Sequence, residues 1–252
     1  MAIDTEKNGY TIVFAVIMVM VVGSLLAFIA SSLKPTITVN QKLEKQQNIL
    51  YAMGVNENEG ESSVSFVNAE DVAEEFDKYI TKQYVIQGDQ VTEDPEAYLI
   101  ELQKEEAKAK DPNYQQRLPL MIGEKDGKTF YIVPMRGKGL WDAIWGFVAL
   151  DEEMVIQGVY FDHKGETPGL GANIKERYFM DDFIGERILD KVNPDRIAGV
   201  TVAKGNNDPK NLEKEDNEVD ALAGATITGD GITAMMKKYL PMYVPAIKNI
   251  KA

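Results

Sequence analysis

The longest apolar run in the chain lies near its N-terminus. Residues 12–33, IVFAVIMVMVVGSLLAFIASSL, contain no charged side chain. As a helix this run spans about 33 Å, which is enough to cross the hydrocarbon core of a bilayer. The run is longer than the apolar core of a signal peptide, and MAIDTEKNG ahead of it is not a basic leader. The pattern predicts an uncleaved membrane-spanning helix, with a cleavable signal peptide as the alternative.

Helical periodicity continues after this run. Residues 39–53 have apolar side chains at loosely helical intervals, which predicts that the helix continues away from the membrane and ends at Gly54. Residues 72–80 have apolar side chains four positions apart and predict a second, short helix. Residues 93–112 are bounded by Asp-Pro pairs and rich in Glu, Lys and Ala. This composition predicts a solvated helical insertion at the periphery.

From residue 118 the pattern changes to short runs of β-branched and aromatic residues. KDGK at 125–128 is a hairpin signal, and DEE at 151–153 separates two further apolar runs, which together indicate an antiparallel meander. ERYFMDDFIGERIL (176–189) has helical spacing, and RIAGVTVAK (196–204) is typical of a strand. GDGITAMMKKYLPMYVPAI (229–247) has the spacing of a helix.

This mixture of elements predicts an α+β fold: one N-terminal transmembrane helix, then a soluble domain with an antiparallel sheet and flanking helices. We divide the chain into three regions. Residues 1–34 form a cytoplasmic tip and the transmembrane helix. Residues 35–117 form a helical and linker region with the charged insertion, and residues 118–252 form the domain that holds the candidate binding residues.

Composition excludes several classes of function. The formal net charge of −13 argues against nucleic-acid binding, because phosphate neutralisation requires clustered Lys and Arg. The chain has no cysteine and one histidine, His163, so it offers no thiolate cluster, no thiol nucleophile and no two-histidine metal site. We therefore predict no metal site, and any redox group in this protein must be organic.

The stretch DALAGATITGDGITAMM (220–236) is the first candidate for chemistry. An apolar stripe predicts a helix that begins just after Gly231 and packs one face into the core. Free N–H groups at the helix start, with Gly224, Gly229 and Gly231 allowing close approach, would suit a phosphate. The alternative is an ordinary cap, with Thr228 or Asp230 as N-cap. The stripe consists of Ile232, Met235, Met236, Tyr239, Leu240 and Tyr243.

Two further stretches have candidate ligand contacts. HKGETPGLGAN (163–173) must turn tightly, and it is either a plain connection or a loop whose glycines and Leu170 line a flat ligand, with Glu166 or Thr167 as polar contacts. GKGLWDAIWGF (137–147) places Trp141 and Trp145 four residues apart. Most such tryptophans belong to the core, and one of these two is a candidate to face a ligand.

Together these stretches resemble a known family. GLWDAIWGF, ETPGLG and DALAGAT, in this order after one N-terminal span, are similar to the C subunit (NqrC) of the Na+-translocating NADH:quinone oxidoreductase. They resemble more distantly the G subunit of the Rnf electron-transport complex. The resemblance covers nearly the whole chain, and the chain length and the GLWDAIWGF form favour the first family.

The resemblance implies a covalently bound flavin mononucleotide (FMN). In that family a dedicated flavin transferase recognises Asp-x-x-Ser/Thr-Gly-Ala-Thr and joins the FMN phosphate to the last threonine. This motif maps onto residues 220–226, so Thr226 is the implied acceptor, with Thr228 as the second candidate. Ala223 departs from the pattern, which has Ser or Thr there. Without cysteine, ring-linked attachment of a flavin has almost no candidate residue, whereas a phosphoester needs only a hydroxyl.

The resemblance also implies the remaining contacts. The isoalloxazine ring would be surrounded by Trp141, Glu166, Thr167, Leu170 and Gly171. The phosphate would lie at Gly224, Ala225 and Thr226, approached by Lys204.

The implied role is electron transfer without catalytic residues of the chain's own. The flavin would relay electrons between neighbouring subunits of the complex, on the path from NADH to quinone that is coupled to Na+ export. The uncharged span offers no ion path, so pumping would belong to the other subunits. The implied partners are those subunits, the transferase and the membrane, and no nucleic acid.

The implied location is the bacterial inner membrane, with the soluble domain on the periplasmic side. A count of flanking lysines favours the cytoplasmic side, because Lys34, Lys42 and Lys45 follow the span and only Lys7 precedes it. Long domains translocate largely regardless of such charges. Two alternatives stay open: the Rnf-type protein, and a membrane-tethered assembly or binding module in which AGATIT is only a helix cap.

Overall fold

The structure is a computed structural model, and it describes residues 8–60, 63–206, 208 and 211–251. Lys7 and the predicted cytoplasmic tip ahead of residue 8 lie outside the described residues. The helices are α1 (Asn8–Ala52), α2 (Val72–Tyr79), α3 (Leu102–Lys108), α4 (Arg177–Met180) and α5 (Thr226–Lys251). The strands are β1 (Ile80–Gln87), β2 (Gln90–Glu93), β3 (Arg117–Lys125), β4 (Lys128–Lys138), β5 (Ala143–Leu150), β6 (Ile156–His163), β7 (Thr201–Val202) and β8 (Glu218–Val219). Three 3₁₀ turns span Ala97–Leu99, Gly171–Lys175 and Asp181–Phe183.

The long apolar helix is present as predicted. In α1, the most apolar 18-residue stretch has a mean hydropathy of 3.0, and the helix is long and apolar enough to cross a membrane. The helix ends in a Schellman motif, in which Gly54 has φ +74°. The N–H of Gly54 donates to the carbonyl of Tyr51, and the N–H of Val55 donates to the carbonyl of Leu50. The predicted stop at Gly54 is thus confirmed.

The chain divides into two compact units, the first ending at Glu44 and the second running from Lys45 to Ala252. Residues 45–52 of α1 belong to the second unit, where Ile49, Leu50 and Ala52 are fully buried. The end of this helix is therefore part of the hydrophobic core of the second unit.

The second unit is built on a six-stranded sheet in the order β2-β1-β3-β4-β5-β6, with every neighbouring pair antiparallel. Asp126 and Gly127 join β3 to β4 and have φ values of 52° and 74°. A two-residue hairpin turn requires positive φ at both residues to match the twist of the strands. This arrangement confirms the predicted α+β fold and the antiparallel meander.

The sequence analysis missed the first hairpin. β1 and β2 lie within residues 35–117, where only helix and linker were predicted. Among the eight residues of β1 only Ile80 and Ile86 are buried, and β2 has no buried residue. β2 is the edge strand of the sheet and β1 lies next to it. Polar side chains are tolerated in this region, so the apolar alternation that identifies a strand is weak.

The charged insertion is not peripheral, contrary to prediction. Tyr98 and Leu102 are buried, and so is Glu105. The Glu105 carboxylate accepts hydrogen bonds from the Tyr114 hydroxyl at 2.5 Å and from the Arg117 N–H at 3.1 Å. Burial raises the pKa of Glu105, but these bonds and the ion pairs with Lys108 and Arg117 outweigh it and lower the pKa to about 2. The helix α3, which the sequence predicts to be solvated, is thus anchored by the buried charge of Glu105.

Two other predicted elements are much shorter in the structure. The helical stretch predicted over 176–189 contains only the four residues of α4 and the 3₁₀ turn that follows it. The strand predicted over 196–204 contains only β7, which pairs in parallel with β8. Apolar spacing therefore marked buried positions in both stretches without fixing a regular conformation.

The C-terminal helix buries its predicted stripe but begins earlier than predicted, at Thr226 rather than after Gly231. Gly229 and Gly231 thus lie inside α5. A side chain at Gly229 would come within 2.9 Å of the Val202 side chain, and one at Gly231 would collide with the carbonyl oxygen of Lys138. These glycines allow α5 to pack closely against its neighbours, which accounts for their lack of a side chain. The fully or almost fully buried stripe is Ile232, Met235, Met236, Tyr239, Leu240 and Tyr243.

Replacing Leu50 by Ala is expected to lower the free energy of unfolding by about 2–5 kcal/mol, because the fully buried side chain leaves a cavity. Leu212→Ala makes the same chemical change at a site that is 78% exposed, and should alter stability by less than about 0.5 kcal/mol. Denaturant unfolding of the detergent-solubilised chain, followed by tryptophan fluorescence, measures both. Equal effects of the two substitutions would contradict a core that includes the end of α1.

Candidate functional site

Three segments that are far apart in sequence meet at one pocket. The loop between β4 and β5, the loop after β6 and the start of α5 enclose a cavity of about 240 Å³. Each segment came from a different stretch that the sequence analysis selected. The lining residues are Leu140, Glu166, Thr167, Leu170, Gly171, Gly224, Ala225, Thr226, Ile227 and Thr228.

The loop after β6 is shaped by its Thr-Pro-Gly-Leu sequence. The carbonyl of Thr167 accepts the N–H groups of Leu170 and Ala172, both at 3.1 Å, and Gly169 has φ +75°. A side chain other than glycine would be strained at that φ. The tight turn leaves Leu170 exposed at the mouth of the pocket.

The approach to α5 requires glycine for two reasons. Gly224 has φ +70°, and a Cβ built on it would lie 2.7 Å from Cδ2 of Leu170. The helix begins two residues later at Thr226, and its first complete turn is closed by the hydrogen bond from the Gly229 N–H to the Ala225 carbonyl. The backbone N–H groups at the start of a helix have no acceptor within it. They therefore leave donors and the positive end of the helix dipole beside the pocket.

A buried carboxylate joins the three segments. Glu166 is 4% exposed, and its Oε2 accepts the hydroxyl hydrogen of Thr228 at 2.6 Å. The N–H of Trp141 donates to Oε1 at 2.9 Å, and the N–H of Leu140 donates to Oε2 at 3.3 Å. Burial raises the pKa of Glu166, but these hydrogen bonds stabilise the ionised form more strongly, and the pKa lies below its ordinary value.

Trp141 stands at the edge of this site. Its side chain is 68% exposed, and the indole N–H donates to Oγ1 of Thr167 at 3.2 Å. Because its backbone N–H is also bound to Glu166, the ring is fixed at two points although most of its surface faces solvent. Trp145 is on β5 and does not line this pocket.

The two candidate acceptor threonines have opposite environments. Thr226 is exposed at the first residue of α5, whereas Thr228 is 1% exposed and its hydroxyl is bound to Glu166. The hydroxyl of Thr228 is thus committed to the structure of the pocket, and that of Thr226 is accessible.

The structure brings together nearly all the residues that the sequence analysis selected. Trp141 adjoins the pocket through Thr167. The other residues selected as ligand contacts line the pocket, except for Trp145, Lys204, Gly229 and Gly231. Lys204 is exposed in the turn that follows β7. Sequence reasoning did not select Leu140 and Ile227, although both lie inside the quoted stretches, directly beside Trp141 and Thr226. In the described part of the chain, no cluster of three or more His, Asp or Glu side chains could hold a metal ion.

Glu166→Gln is expected to lower the free energy of unfolding by about 1–3 kcal/mol at pH 7. The NH₂ group of Gln would replace a carboxylate oxygen that accepts hydrogen bonds, and would then face one of the groups that donate to it. The pKa of Glu166 is lower in the folded chain than in the unfolded chain, where it is about 4.5. The stabilisation of the fold by ionised Glu166 is therefore fully present above pH 4.5 and is lost as the pH falls through the folded-state pKa. The stability difference between parent and variant should therefore shrink below pH 4.5. Denaturant unfolding between pH 3 and pH 7 measures it, with the exposed Glu70→Gln as the matched control. A difference that does not depend on pH would contradict an ionised Glu166.

Comparisons with known proteins place the pocket within a known domain family. Residues 139–241 match the family model of the FMN-binding domain, a range that includes the whole pocket. The C subunit of the Na+-translocating NADH-quinone reductase of Pseudomonas aeruginosa is 30% identical over 258 residues, which cover 94% of this chain and 93% of that protein. The corresponding protein of Haemophilus ducreyi is 28% identical, over 93% of this chain and 90% of that protein.

A solved structure supports the same assignment. The crystal structure of the C subunit of the Na+-translocating NADH-quinone reductase from Parabacteroides distasonis superposes with a TM-score of 0.68 at 27% identity. The match covers 84% of this chain and 95% of that one. Because sequence similarity extends over nearly the full length of both proteins and the fold agrees, this chain belongs to the NqrC family, the C subunits of the Na+-translocating NADH-quinone reductases.

Proposed function

We propose that this chain is the electron-transferring C subunit of a Na+-translocating NADH-quinone reductase, and that it carries FMN joined by a phosphoester to Oγ1 of Thr226. One observation carries the attachment: Thr226 is an exposed residue at the start of α5 that lines the pocket, while the hydroxyl of Thr228 is buried against Glu166. Resemblance alone left both threonines as candidates, and their environments favour Thr226.

The residues around Thr226 suit a phosphate. The N–H groups of the first turn of α5 supply donors, and the helix dipole favours negative charge there. Gly224 has no side chain to obstruct a group bound at Thr226. Ala223, where the family pattern has Ser or Thr, is exposed, so this departure does not disturb the packing of the turn.

The mouth of the pocket suits a flat aromatic ring. Leu140, Trp141, Leu170 and Ile227 are large apolar side chains exposed around it. Their apolar surface would be covered by a bound isoalloxazine ring, which removes it from water. Thr167 adds a polar contact, and Gly171 packs closely against Glu166, since a Cβ there would lie 2.5 Å from Oε2 of that residue. Lys204, which does not line the pocket, stays a proposal as a phosphate contact.

When bound, FMN supplies the electron-transfer chemistry. The residues of this chain bind and orient it: Thr226 anchors the phosphate end, the exposed apolar side chains hold the ring, and Glu166 fixes the loops that position both. We assign no general acid or base and no catalytic residue to the chain. Its partners are the other subunits of the reductase, and a flavin transferase during maturation.

We further propose that α1 anchors the protein in the bacterial inner membrane, with residues 118–252 as the flavin-binding domain on the periplasmic side. The length and hydropathy of α1 support the anchor. The side of the membrane rests on family membership, because the flanking lysines favour the opposite orientation.

Intact mass of the protein from its native host, with peptide mapping, tests the cofactor. The expected result is an added mass of FMN less water on the peptide that contains Thr226. Thr226→Val should be folded but colourless and unmodified. Thr228→Val is the matched control: it should keep the covalent flavin, although the loss of a hydrogen bond to a buried carboxylate should destabilise it by about 1–3 kcal/mol.

Retention of covalent flavin by Thr226→Val, with loss in Thr228→Val, would move the attachment to Thr228. An unmodified peptide from an active membrane complex would overturn the covalent carrier and favour the tethered assembly module.

Deleting residues 1–33 is expected to yield a soluble, monomeric domain, because the apolar run is removed and the buried end of α1 is kept. Deleting residues 1–53 is the control: it also removes Ile49, Leu50 and Ala52 and should prevent stable folding. Size-exclusion chromatography and circular dichroism compare the two. Aggregation of the shorter deletion would argue against a single membrane anchor followed by an independent core.

A further inference from the structure

The chain's single histidine lies directly behind the pocket. His163 is the last residue of β6, and its imidazole Nδ1 accepts the backbone N–H of Glu166 at 3.2 Å. Its own backbone N–H donates to Oδ1 of Asp162 at 2.8 Å. The side chain therefore holds the backbone of the residue whose carboxylate joins the three walls of the pocket.

This hydrogen bond fixes the protonation state of the ring. A nitrogen that accepts an N–H cannot carry a hydrogen itself, so His163 is neutral with its proton on Nε2. Nε2 is buried and has no hydrogen-bond partner among the described residues. The polar contact that orients the imidazole is therefore the one that Nδ1 makes to Glu166.

We propose that His163 is a positioning residue for the flavin pocket: its Nε2-protonated tautomer holds the Glu166 backbone, and so aims the Glu166 carboxylate at Trp141 and Thr228. The connection to flavin rests on the proposed function, but the tautomer and the hydrogen bond do not. Uptake of a solvent proton at Nδ1 turns the acceptor into a donor that faces another donor. The hydrogen bond to Glu166 must then break, and the loop loses its support.

Several charged groups surround this arrangement. Asp162 is beside His163 on β6, and the Glu166 carboxylate lies across the loop. The ion pair of Lys164 with Asp142, at 3.1 Å, connects the end of β6 to the loop before β5. The 3₁₀ turn at Gly171–Lys175 contributes Lys175, whose side chain is exposed, and α5 contributes the neutral Thr228.

The tautomer can be observed directly in the full-length chain. Labelling with [15N]histidine gives the signals of one imidazole, because the chain contains no other histidine. The expected spectrum of the neutral ring has the proton on Nε2 and none on Nδ1. A neutral ring protonated on Nδ1 would overturn the proposal.

Two substitutions test the positioning role. His163→Asn places an amide oxygen where Nδ1 was, so it keeps an acceptor that does not titrate. His163→Leu removes the acceptor at similar volume. Hydrogen exchange of the peptide containing Glu166, measured by mass spectrometry, should be roughly fivefold faster in His163→Leu, the factor that one lost hydrogen bond brings, and near the parent rate in His163→Asn. Equal rates in all three chains would overturn the proposal.

A pH series separates positioning from ordinary packing. When a proton adds to Nδ1 as the pH is lowered, the parent should lose protection at Glu166 relative to His163→Asn at each pH. In the flavin-loaded chain, the visible circular dichroism of the flavin should change over the same pH series in the parent only. Parallel behaviour of parent and His163→Asn would overturn the positioning role. A chain purified from the active complex of its native host that carries no flavin but still shows the exchange difference would reject the proposed function and leave the role of His163 standing.

Discussion

The candidate site depends on the hydrogen bonds to the buried Glu166 carboxylate. An ionised group removed from water is costly unless it is fully hydrogen-bonded. Here the donors come from residues 25, 26 and 62 positions away in the chain. Satisfying the charge therefore requires that the β4–β5 loop, the loop after β6 and α5 come together, and the pocket is the space left between them.

The same carboxylate explains glycines that would otherwise be attributed to a ligand. A Cβ at Gly139 would lie 2.6 Å from Oε1 of Glu166, and one at Gly171 would lie 2.5 Å from Oε2 and 2.6 Å from Oγ1 of Thr228. Close packing around the charge excludes side chains at both positions. Gly224 differs, because its nearest neighbour is Leu170 and its φ is positive. Of these three glycines, Gly224 alone is required for its backbone conformation.

Local signals in the sequence were sufficient for local structure. The hairpin at Asp126 and Gly127, the end of α1 at Gly54 and the buried stripe of α5 each depend on a few neighbouring residues. Two of the failures depend on tertiary contacts that the local pattern does not contain. Glu105 looks like a solvated helix residue until Tyr114 and Arg117 pack against it, and the true start of α5 depends on the close approach of Val202 and Lys138.

The site was predictable to the same extent. The three motifs identified the segments, and the family resemblance assigned roles to most residues. Spacing could not reveal that Thr228 donates to a carboxylate 62 residues away. Nor could it reveal that His163 supports the same residue through its backbone.

Helix geometry explains why two threonines in one motif have different environments. Residues two positions apart on an α-helix point about 200° from each other. Once Thr228 faces Glu166 in the interior, Thr226 must face outward, and its hydroxyl is left accessible beside the free N–H groups of the first turn. The contact between Thr228 and the buried Glu166 carboxylate thus leaves Thr226 as the exposed threonine. A substitution that rotates or unwinds the start of α5 would affect the pocket and the proposed acceptor, Thr226, together, because one helical turn fixes both.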